Sequence, residues 1–73
     1  MKEIDLHGVR HEDVGKKLDP FIWENMKLNQ SHIGIVTGNS EEMKKIVNDL
    51  LKEYGYSSEQ SLMNSGLLYV KLT

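Results

Sequence analysis

Cysteine is absent from the chain, so disulfides, thiolate metal sites and a cysteine nucleophile are excluded, and a reducing, cytoplasmic setting is the simplest expectation. No apolar run approaches the roughly 20 residues that cross a bilayer. The opening Met1-Lys2-Glu3-Ile4-Asp5 also lacks the basic, then apolar, pattern of a secretion signal, so no membrane partner is expected. An excess of positive charge is missing too: nine basic and eleven acidic residues give a net charge of −2. Attraction to a polyanion is therefore not a property of the whole composition, and nucleic-acid binding would need a local set of groups. Repeats, low-complexity tracts and linkers do not occur, and proline occurs once. The 73 residues are expected to form one stand-alone domain, 1–73. A domain of this size removes only about 60% of its unfolded surface from water, so its core must be small.

What is present is organised around His32-Ile33-Gly34-Ile35-Val36-Thr37-Gly38-Asn39-Ser40. A short apolar run rich in β-branched residues stops at a glycine and gives way to a helical pattern, which predicts a buried strand, a tight turn and a helix start. Gly38 can take the positive φ such a turn needs, and Asn39 or Ser40 can cap the helix. Backbone N–H groups left free beyond the end of a strand are where α/β proteins usually place ligands.

Ile4 and Leu6 alternate with Glu3, Asp5 and His7, predicting a half-buried strand over 2–7 that ends at Gly8 and projects Asp5 and His7 from one side. Val14, Leu18, Phe21, Ile22 and Met26 recur at helical spacing within 11–28. Pro20 interrupts them, and either a kink near 16–19 or a restart with Asp19 as cap is expected. Trp23 lies off the stripe, at a core margin or in a contact with another chain. Met43, Ile46, Val47, Leu50, Leu51 and Tyr54 define a second helix closed by Gly55, with Lys44, Lys45 and Lys52 on its wet face.

Residues 56–63 are poor in apolar side chains and predict a weak edge strand. Asn64-Ser65-Gly66 signals a turn, and 67–72 read as an inner strand with Tyr69 and Lys71 on an open face. The order is βαβαββ: a four-stranded mixed sheet with right-handed crossovers and helices packed on one face.

Ile4-Asp5-Leu6-His7-Gly8, Ile35-Val36-Thr37-Gly38 and Gly66-Leu67-Leu68-Tyr69-Val70-Lys71-Leu72, in this order and spacing, resemble the Smr (small MutS-related) domain over nearly the whole chain. The resemblance implies an α/β domain, a two-layer α+β sandwich like the C-terminal domain of translation initiation factor three, with the antiparallel last strand inside the sheet. It also implies nucleic-acid binding and, in many members, nicking of DNA or RNA. Asp5 and His7 match the opening acid and histidine, and Thr37 and Gly38 match the start of the second motif. The family usually continues that motif with a lysine or similar residue and another glycine, where this chain has Asn39 and Ser40. Those two offer only neutral hydrogen bonds, and Glu41 and Glu42 follow in the first helical turn, favouring the helix dipole while opposing a phosphate.

Asp5 and His7 are thus the candidate catalytic pair, His7 as general acid or base and Asp5 to orient it or to hold a divalent magnesium or manganese ion. Gly8, Arg10, Thr37, Gly38, Asn39 and Ser40 are the candidate phosphate-binding set. A second expectation is a non-catalytic interaction module that keeps the fold, meeting a protein partner or a second copy through Trp23 or the face bearing Tyr69. A third, weaker in its spacing, is a metal site of Asp5, His7 and His11.

Overall fold

The β-branched run Ile33, Ile35, Val36 forms a strand, β2 (His32–Val36), in the interior of the sheet. The computed structural model describes residues 1–73. The other strands are β1 (Lys2–Asp5), β3 (Ser58–Gln60) and β4 (Leu67–Lys71), and the helices are α1 (Val14–Lys27) and α2 (Glu41–Glu53). The sheet order is β1-β2-β4-β3. β1 runs parallel to β2, with Asp5 opposite Val36, while β4 is antiparallel to both β2 and β3. The last strand therefore lies inside the sheet, and the short, polar β3 is an edge, as its composition predicts.

Alternation along the strands decides which face is covered. Ile33, Ile35, Leu68 and Val70 point into one cluster with Val14, Leu18 and Ile22 of α1 and Met43, Val47 and Leu51 of α2. Both helices thus lie on one face. Burying an aliphatic side chain of this size contributes about 1.5–3 kcal/mol, so these few residues carry most of the folding drive. Tyr69 and Lys71 alternate out to the open face and are exposed.

Four local expectations are corrected. The first strand ends at Asp5 rather than continuing to Gly8: the Asp5 carboxylate accepts the His7 N–H, and Leu6 to Val9 form a turn closed by the Val9 N–H on the Leu6 carbonyl. An Asp that satisfies the backbone two residues on stops an extended run.

α1 is one helix through Pro20, entered by a short 3-10 turn at His11–Asp13. Pro20 and Lys16 are exposed, so the carbonyl deprived of its donor meets water, while Val14, Leu18 and Ile22 hold both halves against the same core. Asp19 caps nothing there; it accepts the Tyr54 hydroxyl at 2.9 Å.

Met26 is 36% exposed, and Asn25 takes the inner position, its amide donating to the Phe21 carbonyl at 2.8 Å. Trp23 sits at the core margin, edge-on to Tyr54 with ring centroids 6.4 Å apart.

Lys44, finally, is not on the wet face of α2. It is buried along its stem and donates to Gln60 at 3.1 Å, which ties the helix to the edge strand.

Candidate functional site

β1 and β2 finish side by side. The Leu6 N–H donates to the Val36 carbonyl at 2.8 Å, carrying their pairing one residue past β1. The Asp5 carboxylate then takes the His7 N–H at 2.9 Å, which turns the chain. The bend sets the His7 ring against the turn after β2: its Cδ2 lies 2.8 Å from where a Cβ on Gly38 would stand. Gly38 has φ +67°, so at this position both the backbone and the neighbouring ring require glycine.

A third segment completes the corner. The Gly66 carbonyl, just before β4, accepts the Thr37 N–H at 2.8 Å and the Gly38 N–H at 3.2 Å. A Cβ on Gly66 would come within 3.0 Å of the Gly38 Cα, so the two backbones are in direct contact. The buried Thr37 hydroxyl shares its proton between the carbonyls of Gly38, at 2.9 Å, and Gly66, at 3.3 Å. Further out, Ser65 donates to the Asn39 side chain at 2.6 Å. Three loops, one after each of β1 and β2 and one before β4, are thereby locked together.

The hydrogen-bond inventory of this corner sets what it can offer a ligand. The Gly38 N–H is taken, whereas those of Asn39 and Ser40 have no acceptor within the chain. Ser40 caps α2, its Oγ accepting the Met43 N–H at 3.1 Å. The Glu41 and Glu42 N–H groups are the usual unsatisfied donors of a first helical turn. Their carboxylates stand in solvent, Glu41 3.7 Å from Lys44 and Glu42 3.4 Å from the His11 ring. Arg10 is exposed on the loop after β1, 3.8 Å from Glu12.

His7 is exposed, and neither ring nitrogen has a hydrogen-bond partner in the chain. An imidazole so placed can give or take a proton at a bound group. Asp5 does not bond that ring; its carboxylate accepts the backbone N–H of the residue that presents it. No group of three or more His, Cys, Asp or Glu side chains converges to hold a metal ion, so Asp5, His7 and His11 do not form the ligand set considered from the sequence.

The concave spots of the surface lie elsewhere. One, of about 240 Å³, is on the open face between His32, Ser57, Glu59, Tyr69 and Lys71, and the other is beside Asn48, Lys52 and Tyr56. The His7 corner is a ledge. A ledge suits a polymer backbone laid across it better than a small molecule needing enclosure.

An antiparallel last strand inside a β1-β2-β4-β3 sheet is the arrangement the resemblance implies, and the family model for the Smr domain matches residues 4–73. The chain belongs to the Smr family. As an Smr domain it falls among nucleic-acid-binding and nicking-type modules. No curated protein matches it. Among solved structures, the crystal structure of the Smr domain of Thermus thermophilus MutS2 is similar: 19% identity, 100% of this chain and 99% of that one covered, TM-score 0.88. At that identity the likeness shows a shared fold.

Within this Smr domain, His7, Gly38, Asn39 and Ser40 gather at one ledge, and the Asp5 carboxylate accepts the His7 N–H at 2.9 Å. Thr37 belongs to the scaffold, being buried and engaged. Gly66 and Ser65 also belong to this corner, though the sequence marks Asn64-Ser65-Gly66 only as a turn. The signal for Gly66 is its place immediately before an inner strand that, running antiparallel, begins beside the end of β2.

Proposed function

We propose that this Smr domain binds the sugar–phosphate backbone of DNA or RNA across the ledge formed by His7, Gly8, Gly38, Asn39 and Ser40, with His7 as the proton-transferring residue of a nicking reaction. The observation that carries this is the imidazole, without an internal partner, seated on the Gly38 turn beside the open N–H groups of Asn39 and Ser40. Phosphate oxygens would accept from those N–H groups, and Arg10 would close over them. In cleavage, a water oxygen bonds to phosphorus, the P–O bond to the leaving nucleotide breaks, the leaving oxygen takes the proton held on His7, and the proton released by the attacking water passes to solvent or returns to the neutral imidazole. Asp5 keeps the loop in register and does not exchange protons. A divalent ion would meet the free carboxylate oxygen of Asp5, but no three His, Asp or Glu side chains converge to hold it, and no step runs through it.

The first test is fluorescence anisotropy with single-stranded, duplex and branched DNA and with RNA at two salt concentrations, followed by nicking of supercoiled DNA and labelled RNA with and without magnesium or manganese. Salt-sensitive binding, with nicking lost in His7→Ala, is expected. Equal nicking by wild type and His7→Ala removes the catalytic part.

A second reading, a non-catalytic protein-interaction module that keeps the fold, is favoured by Glu41 and Glu42 where a bound phosphate would sit and by Asn39 and Ser40 in place of lysine and glycine. Absence of salt-sensitive nucleic-acid binding, together with self-association in light scattering or a partner in a pull-down, would select it.

A further inference from the structure

The loop between β3 and β4 presents two adjacent apolar side chains wholly to solvent: Leu62 is 102% and Met63 95% exposed. Scattered apolar residues on a surface need no explanation. These two differ in being consecutive and in being carried by a loop that is tied down on both sides. The Ser61 N–H donates to the Leu67 carbonyl at 2.9 Å and the Met63 N–H to the Ser61 hydroxyl at 3.2 Å. The Gly66 N–H donates to the Asn64 side chain at 2.9 Å and the Leu67 N–H to the Asn64 carbonyl at 3.1 Å. The loop is therefore fixed by hydrogen bonds on both sides of a tip whose two apolar side chains stand in solvent.

The same loop ends on Gly66, whose backbone touches Gly38 beneath His7. Leu62 and Met63 precede Gly66 by four and three residues, a reach of at most about 14 Å in extended chain. A nucleic-acid backbone lying on the His7 ledge would thus have its bases within range of the tip. Leu and Met are among the side chains that enter between base steps, where unpaired or easily unstacked bases cost least to open.

We propose that Leu62 and Met63 pack against bases of the bound nucleic acid, so that the ledge prefers substrates with unpaired or unstacked bases, single strands and branch points, over uninterrupted duplex. This rests on the reading of the ledge as a backbone-binding surface. In that division of labour Asn39, Ser40 and Arg10 meet phosphates, and the loop tip supplies the base contact.

The test compares wild type with the double variant Leu62→Ser, Met63→Ser on a single-stranded oligonucleotide and on a blunt duplex, by anisotropy at two salt concentrations. Circular dichroism and thermal melts check that the variant folds. A gapped duplex carrying 2-aminopurine opposite the gap reports base unstacking by its fluorescence. Expected are a loss of about tenfold or more in single-strand affinity, as for removing one or two buried aliphatic contacts, and loss of the fluorescence rise. The salt slope should not change, because no charge is altered. A folded variant that binds single strands and unstacks the probe as well as wild type overturns the loop-tip proposal and leaves the tip to a protein partner. Absence of salt-sensitive binding by the wild type itself overturns instead the backbone-binding reading beneath it.

Discussion

The imidazole of His7 occupies the space that a side chain at Gly38 would need, with its Cδ2 2.8 Å from the Cβ position. Gly38→Ala must therefore displace the ring as well as strain a backbone at φ +67°. The expected cost is about 1–3 kcal/mol of stability, with loss of nucleic-acid binding in whatever fraction still folds. Urea titration and anisotropy on the same sample measure both. His7→Ala should leave stability nearly unchanged, because the ring is exposed, and separates the functional effect from the structural one.

Glu41 and Glu42 set the sign of the field where phosphate would bind. Glu41→Gln, Glu42→Gln should tighten binding at low salt and have a smaller effect at high salt, since screening weakens exposed charges. The same change removes favourable contacts with the helix dipole, about 0.3–1 kcal/mol each. Affinity and thermal stability are thus expected to move in opposite directions, measured by anisotropy and by a thermal melt.

Tyr54 links the two helices by donating to Asp19 at 2.9 Å. Burial, then the bond and charge of Asp19, raise its phenol above the ordinary value of 10.0. A group whose folded pKa is raised contributes stability that is whole below the unfolded pKa and is lost as pH climbs through the folded one. Wild type should lose stability above about pH 10 more steeply than Tyr54→Phe, which has no phenol to ionise. Denaturation between neutral pH and pH 11 tests this; parallel curves would show that the Tyr54 ionisation is not linked to folding.

Lys44 joins α2 to the edge strand through Gln60, its stem buried. Lys44→Ala should cost about 1–2 kcal/mol through lost packing and a lost hydrogen bond, whereas Lys44→Met, which keeps the stem, should cost less. Hydrogen exchange at the β3 amides is expected to accelerate in the alanine variant first.

Patterns that depend on one element alone were readable in the sequence: the stripe from Met43 to Leu51, the β-branched run of β2, and Gly38 and Ser40 at the turn between them. What misled depended on which way a residue faces. Pro20 lies on the water side of α1, where its missing N–H costs little, so the helix runs on and does not restart there. Lys44 is polar only at its tip, and its four-carbon stem packs like an aliphatic residue. Of the site, His7 and Gly38 were legible as separate motifs. Their contact depends on strand order, and Gly66 enters because β4 inserts beside β2, a long-range pairing that local spacing does not specify.

The most direct test of the ledge is a titration of the isotope-labelled domain with a single-stranded oligonucleotide, followed by amide and histidine-ring NMR shifts. The largest changes are expected at the His7 ring and at the amides of Gly8, Asn39, Ser40 and Gly66, moving together with one binding constant. Changes confined to the open face around His32 and Tyr69, or to α1 around Trp23, with His7 unmoved, would contradict this expectation.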